Sequence, residues 1–375
     1  MSVFFAVSFL FIFYVFIGYP LVLRLREKEK RLPSPVDQQF PYVTVLLVVC
    51  NEEKNIETKL HNLLDLDYPE DKLSVLVVDD ASEDQTLRRI ALINSQRIGV
   101  ISVDSRLGKP NGLNLGMAKI DSELVLMVDA RQTISESAVR HLVSWFQDGE
   151  YGLVSGELSF HSENENDFSK GVDAYWRYEK MIRKAEASIG SVPGVTGAIY
   201  MIRRAAFQPI PVGTLIDDVL IPMQAIRKGY RVGYDERAKA WDVPSSDVAN
   251  EKRRKVRTLA GNYQLMVWFP SWIFPGGHPI WWQFLSHKIL RLAVPFMLLV
   301  HVICSCSLAT NSVFFSIYFG ALIMGLLSYP VSLYFKSISK IRVLRIISSF
   351  VALNWFNFLA FVQFVRGQEG ELWRK

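Results

Sequence analysis

Cysteine is scarce in this chain: Cys50, Cys304 and Cys306 are the only three among 375 residues. Two of them lie inside an apolar run and none has metal-ligand spacing. Neither a disulfide framework nor a zinc site is expected, and small buried thiols are the plain reading. The motifs of several common catalysts are missing too. No G-x-G-x-x-G follows the first predicted strand and no G-x-x-x-x-G-K-[ST] occurs, so the usual nicotinamide and P-loop cradles are excluded. No G-x-S-x-G elbow offers a serine nucleophile. Charge itself is absent from Phe4 to Leu23 and, His301 aside, from Ala293 to Phe335.

An uncharged run of about 20 residues is the length a helix needs to cross hydrocarbon. The first run reads as an uncleaved anchor. No basic residue precedes it, and Gly18-Tyr19-Pro20 leads into charges without a small-residue cleavage site. Arg24, Arg26, Lys28, Lys30 and Arg31 follow it, which assigns that side, and the soluble part, to the cytoplasm. Three further spans are expected near 286–307, 312–335 and 345–365. The turn at Ala309-Thr310-Asn311 has no basic residue and suits the outer side. Lys336, Lys340, Arg342 and Arg345 suit the inner side, in agreement with the amino end. Asn354, Asn357 and Gln363 burden the last span, because polar groups in hydrocarbon need partners, and leave the side of the tail open.

The expected order is therefore an N-terminal transmembrane helix (1–23), a basic juxtamembrane linker (24–40), a cytoplasmic domain (41–264), an interfacial aromatic segment (265–284), a C-terminal membrane region (285–366) and a tail (367–375). Trp268, Trp272, Phe274, Trp281 and Trp282 read as an interfacial belt. The net charge of +5 is a membrane-surface signal, because the basic groups hug predicted membrane boundaries; nucleic acid is not an expected partner.

Within the cytoplasmic domain, apolar strands are expected at 43–49, 73–78, 100–103 and 124–128. Helices are expected at 52–64, from about 83, and at 111–119. Alternation of helices with nearly continuous apolar strands predicts an α/β domain with a mainly parallel sheet covered on both faces. Ligands bind such sheets beyond the carboxyl ends of the strands, and Asn51, Asp79, Asp80 and Asp129 all fall there.

Each candidate has a bland reading beside the chemical one. Ser82 in Asp79-Asp80-Ala81-Ser82-Glu83-Asp84 can cap a helix, and Asp84 can be a solvated helix residue, but one of Asp79 and Asp80 can accept from a base N–H. Lys109, in Gly108-Lys-Pro-Asn-Gly-Leu-Asn-Leu-Gly116, can neutralise phosphate or simply be solvated; Asn114 shares that segment. Asp129 can hold a ribose hydroxyl or a metal. Asp217-Asp218 suits a helix start, or, in a cleft, a pair whose repulsion raises one pKa for proton abstraction. Glu251 to Arg257 puts six charges in seven residues; Arg254 and Arg257, three apart on one helical face, can clamp a pyrophosphate or form a membrane-proximal patch. Tyr175-Trp176-Arg177-Tyr178-Glu179 suits either an acceptor contact or packing.

Taken in order, Asn51-Glu52-Glu53, Asp79-Asp80-Ala81-Ser82-x-Asp84, Gly108-Lys109-x-x-x-Leu113-Asn114, Asp129-Ala130, Pro193-Gly-Val-Thr-Gly-Ala-Ile-Tyr200, Asp217-Asp218 and the basic segment resemble the inverting family 2 glycosyltransferases of GT-A fold. The resemblance runs from about residue 40 to 265. The membrane framing is similar to bacterial exopolysaccharide, cellulose, chitin and hyaluronan synthases.

The resemblance implies a nucleotide-sugar donor, a UDP-hexose or UDP-N-acetylhexosamine, and a glycan or lipid-linked glycan acceptor at the bilayer. It implies Asp80 at the base with Asp79 supporting its loop, Asn51 and Glu53 lining the nucleotide pocket, and Lys109 approaching it. Gly197 and its neighbours would shape the sugar site, and Asp218 of the Asp217-Asp218 pair would be the catalytic base, leaving a β-linkage. Asp129 matches the first acid of Asp-x-Asp and would bind Mg2+ or Mn2+. The second acid is Arg131 here, which puts the mode of cation binding in question. Arg254, Arg257 and Thr258 stand where synthases carry Gln, Arg and Trp, so Arg257 is kept for the diphosphate but the aromatic platform for a long chain is gone. Processive extrusion would call on a second copy or an export subunit. Single addition to a polyprenyl-linked acceptor is the close alternative; a nucleotidyltransferase or a non-catalytic scaffold is remote.

Overall fold

The structure, a computed structural model, describes residues 1–28, 32–35, 39–160, 167–242, 248–335 and 341–367, with the side chains of 167–175, 248–251 and 342 outside the description. Lys30, Arg31, Lys336, Lys340, the side chains of Tyr175, Glu251 and Arg342, and the tail from 368 thus fall outside it. The chain forms two compact units. One comprises Met1–Glu27, Ser162–Ala185 and Ser245–Lys375; the other comprises Lys28–His161 and Glu186–Pro244.

The second unit is built on one eight-stranded sheet. Its strands are β1 Val43–Val49, β2 Leu73–Asp79, β3 Ile98–Ser102, β4 Leu124–Val128, β5 Thr133–Ile134, β6 Tyr151–Phe160, β7 Ile199–Arg203 and β8 Arg231–Asp242, in the order β3-β2-β1-β4-β7-β6-β8-β5. The β3-β2-β1-β4 half is parallel, β7 runs antiparallel to both its neighbours, and β6 and β8 are parallel to each other.

The parallel half follows from the unbroken apolar runs of β1 and β4, whose residues have no solvent face to serve. Val43, Val45, Leu47 and Val49 point into a core shared with Ile56, Leu60 and Leu63 of the helix Ile56–Leu64. On the opposite face the helix Lys109–Lys119 rests so close that a Cβ on Gly116 would stand 2.3 Å from Leu46 Cδ1. Helix starts differ from the sequence reading. Residues 52–55 form the strand-end loop before the helix, and the helix after β2 begins at Thr86, with Gln85 as its N-cap.

The antiparallel half carries a β-bulge where β6 pairs with β8, between Ser155 and Glu157. Gly156 sits in that bulge, where a side chain would meet the Ala238 carbonyl oxygen at 2.4 Å. The adjacent Ser155 hydroxyl accepts the Thr196 N–H at 3.1 Å. The bulge thereby fixes the glycine-rich segment that precedes β7.

Among the described residues, four helices are long and apolar enough to cross a membrane: Ser2–Arg26, Trp281–Ala309, Val313–Tyr334 and Val343–Val365. All lie in the first unit, with Val3, Phe4, Ile317 and Met324 exposed. Two polar groups of the last helix, Asn354 and Asn357, find partners inside the unit. Asn357 Nδ2 donates to the Arg291 carbonyl at 2.8 Å, and Tyr263 OH donates to Asn357 Oδ1 at 3.2 Å. Ser8 Oγ and Tyr318 OH bracket the His301 ring at 2.9 and 2.7 Å.

Tyr178 and Glu179, read above as acceptor contacts or packing, pack. Tyr178 OH donates to the Phe16 carbonyl, and buried Glu179 is paired with His287 at 3.0 Å and with Arg291. Burial disfavours the Glu179 charge, but Arg291 and His287 outweigh it and hold its pKa well below the usual carboxylate value. Two aromatic and thiol expectations shift as well. Trp272 is buried against Phe269, ring centroids 4.2 Å apart, rather than joining an interfacial belt. Cys304 is buried as expected, whereas Cys306 is exposed on its apolar helix.

Candidate active site

The carboxyl ends of β1, β2 and β4 carry the loops that hold the candidate residues. Asn51 and Ala81 adopt left-handed backbone, with φ of 55° and 53°, where each chain turns sharply out of its strand. The two turns are stitched together. Asn51 Oδ1 accepts the Glu83 N–H and the Asn51 N–H donates to Ser82 Oγ, both at 2.9 Å. Glu53 Oε2 accepts the Gln85 N–H, and the Glu53 N–H donates to Asp84 Oδ2, both at 3.1 Å. Ser82 and Asp84 therefore tie loops together, and Asp84, just before the helix, also accepts the Thr86 N–H at 2.9 Å. Asn51 and Glu53 build the wall of this end of the sheet.

Asp79 and Asp80 are both buried. Asp79 Oδ2 accepts from the Ser82 N–H and the Ser102 hydroxyl at 3.2 Å each. Asp80 accepts the N–H groups of Leu107 at 2.7 Å and Gly108 at 2.8 Å, one on each carboxylate oxygen. It thereby fastens the turn that starts the helix Lys109–Lys119, whose Gly108 needs a φ of 85°. Asn114 further along that helix exchanges two hydrogen bonds with the backbone of Ile210, at 2.8 and 2.9 Å, so its amide pins a loop.

Lys109, the first residue of the helix, reaches into the centre of the site. Its ammonium donates to Asp129 Oδ1 at 2.9 Å and lies 3.2 Å from Asp217 Oδ2. Burial opposes the charge of Lys109, but Asp129 and Asp217 outweigh it and raise its pKa above the ordinary lysine value. This is a fixed internal cation, not the solvated lysine of the bland reading.

Gly197 lies alongside, where a Cβ would press on Asp129 Oδ2 at 3.2 Å. Buried Tyr200 completes the cluster; burial, then Asp217, pushes its phenol well above the usual value. Asp217 and Asp218 open the helix Asp217–Arg227, where acids complement the amino-terminal dipole, and Ile216 is its N-cap. Asp217 is buried against Lys109, whereas Asp218 is half-buried and its carbonyl accepts the Val195 N–H at 2.8 Å.

Arg131 is salt-bridged to buried Asp242, which also accepts from Gln132 Nε2 at 2.9 Å. The guanidinium that the sequence reading offered to phosphate thus already has a carboxylate partner, though it stays 37% exposed on its side chain. Arg254 and Arg257 lie on the helix Val248–Trp268 of the other unit, both half-buried.

Lys59, Tyr200, Gln132 and Asp242 were given no role in the sequence reading. Lys59 falls on the apolar Ile56–Leu60–Leu63 face of its helix and is 1% exposed. Its ammonium donates to the Gln132 carbonyl at 2.7 Å, and burial, partly offset by Asp129, pulls its pKa down to about 7. A lysine inside an apolar helical stripe was the available signal.

Among the described residues, no three His, Cys, Asp or Glu side chains gather as a cation site. Asp129 is the acid available to a Mg2+ or Mn2+, as one hard oxygen donor 39% exposed on its side chain. One carboxylate fits a cation whose other ligands are substrate phosphates and water, the usual manner of Mg2+.

Comparison with known proteins follows the same geometry. Residues 44–210 match the family model described as Glycosyl transferase family 2. The poly-beta-1,6-N-acetyl-D-glucosamine synthase of Staphylococcus aureus (strain COL) is 21% identical over 248 residues, 65% of this chain and 60% of that protein. The synthase of the same name from Staphylococcus epidermidis is 20% identical over 235 residues, 61% of this chain and 57% of that protein. The chain thus spans about 60% of the length of the curated relatives it matches. A mannosyltransferase from Pyrobaculum calidifontis, solved in complex with GDP-Man and Mn2+, superposes with a TM-score of 0.77 at 21% identity, covering 97% of this chain and 99% of that one. That likeness shows the fold. Residues 44–210 thus carry a family 2 glycosyltransferase domain of GT-A fold.

Proposed function

We propose that the enzyme moves a sugar from a UDP-hexose or UDP-N-acetylhexosamine to a hydroxyl of a membrane-associated glycan, with inversion, leaving a β-linkage. The observation that carries this reading is the division of labour between Asp217 and Asp218. Asp217 is buried and neutralised by Lys109, whereas Asp218, next in the chain, is half-buried on the first turn of the same helix. Asp218 would accept the proton of the acceptor hydroxyl as its oxygen attacks C1. The C1–O bond to the diphosphate breaks, and the electron pair leaves with the nucleoside diphosphate. Positioning and charge neutralisation supply the rest of the rate.

Asp80 and Asp79 shape the base end of the pocket, with Asn51 and Glu53 as its wall. Lys109 and Arg131 are the basic groups of this unit for the diphosphate. Asp129 would hold a Mg2+ or Mn2+ carried on the donor phosphates, and such a cation neutralises charge on the leaving group when bound. The active site would face the cytoplasm, with the acceptor in the adjacent leaflet.

The name of the staphylococcal relatives, a β-1,6-linked N-acetylglucosamine polymer synthase, favours an N-acetylhexosamine donor and a growing glycan. Thr258 favours the second reading, single addition to a polyprenyl-linked acceptor, since it cannot stack on a sugar face as Trp does. A donor panel with the full chain in membranes, followed by product analysis, tests both. Nucleoside diphosphate release with β-linked product supports the proposal; release of pyrophosphate overturns it. Long chains support the polymer reading, and one sugar per lipid supports the alternative.

A further inference from the structure

The ion pair at the centre of the site does more than orient a lysine. Lys109 Nζ lies 2.9 Å from Asp129 Oδ1, so the acid that would face a divalent cation already holds a fixed monovalent one. The same ammonium is 3.2 Å from Asp217. Two residues past Asp129, where a second acid would help a metal, stands Arg131, and its own partner Asp242 is engaged by it. A bare Mg2+ or Mn2+ would therefore meet one carboxylate already paired with the Lys109 ammonium, although such an ion demands about six oxygens in octahedral array.

A cation and a diphosphate arriving together remove this obstacle. The phosphates supply the missing oxygens, and they give the Lys109 ammonium a new anionic partner as it leaves Asp129.

We propose that Lys109 is the resident counter-ion of Asp129, a lock that admits a divalent cation only together with the diphosphate of a donor. This deepens the donor reading above and rests on it for the second ligand. The lock itself rests on the geometry of Lys109, Asp129 and Asp217. Gly197 leaves room for the exchange, because its missing side chain is what spares Asp129 Oδ2 a contact at 3.2 Å.

The test is Mn2+ binding to the purified full chain in detergent, followed by electron paramagnetic resonance without sugar donor. Mn2+ alone should bind weakly, and Mn2+ with UDP should bind at least about tenfold more tightly, as expected when the Lys109 ammonium no longer opposes it. Lys109→Met should bind Mn2+ alone at least about tenfold more tightly than the parent chain, and Asp129→Asn added to it should abolish that gain. Lys109→Gln serves if the methionine variant does not fold. Equal binding of Mn2+ with and without UDP, in a chain that binds UDP, overturns the proposal. So does an unchanged affinity for Mn2+ alone in the Lys109 variant, or a chain that binds UDP but takes up no Mn2+ with it. A chain that binds no UDP, while its Lys109 variant gains Mn2+, overturns the donor reading and leaves the lock standing.

Discussion

Asp80 holds Gly108: one carboxylate oxygen accepts the Gly108 N–H at 2.8 Å, while the other takes the Leu107 N–H. Lys109 is the next residue, so the aim of its ammonium depends on a carboxylate nearly thirty positions upstream. Asp80→Asn puts an NH2 group against one of the two backbone donors. It is expected to lower stability by about 1–3 kcal/mol, the usual consequence of a lost buried bond, and to weaken UDP binding. An unchanged unfolding midpoint in detergent would show that the turn does not need this anchor.

Lys59 makes stability depend on pH. Its folded pKa is about 7 against an ordinary 10.5. Between those values the unfolded chain keeps the proton that the folded chain releases, so stability rises with pH through this window. Below about 7 both states are protonated and the burial cost is fully present. Relative to Lys59→Met, the parent chain should gain up to about 1.4 kcal/mol per pH unit between pH 7 and 10. Parallel stability curves for the two proteins would refute this.

Gly156 allows β6 and β8 to approach at the bulge. An added Cβ would collide with the Ala238 carbonyl at 2.4 Å and with Ile199 Cγ2 at 2.7 Å, and backbone yields less readily than a side-chain tip. Gly156→Ala should destabilise the domain by about 1–3 kcal/mol. Because Ser155 holds Thr196 beside Gly197, transfer should fall as well. A variant with the parent's melting temperature and turnover would contradict the role given to the bulge.

The parallel half of the sheet was legible because Val43–Val49 and Leu124–Val128 are unbroken apolar runs ending in polar residues. That pattern also put Asn51, Asp79, Asp80 and Asp129 at one end. The antiparallel half was not legible. β8 reads Arg231-Val-Gly-Tyr-Asp-Glu-Arg-Ala-Lys-Ala-Trp-Asp242, and its charges hide the strand. What each polar residue touches was hidden too. Asn51, Glu53, Ser82 and Asp84 look like ligands or caps along the chain, yet they bind one another across two loops. Lys109 looked like a solvated loop lysine because its two acids lie 20 and 108 positions downstream. Lys59 and Asp242 had no local motif to announce them.

In the proposed reaction Asp218 takes the acceptor proton while Asp217 and Lys109 hold the ground around it. Asp218→Asn, assayed as the full chain for nucleoside diphosphate release and, separately, for UDP binding, tests it most directly. Removing a general base should slow transfer by about 10²–10⁴-fold with UDP affinity retained. A normal turnover rate in Asp218→Asn would show that Asp218 is not the base.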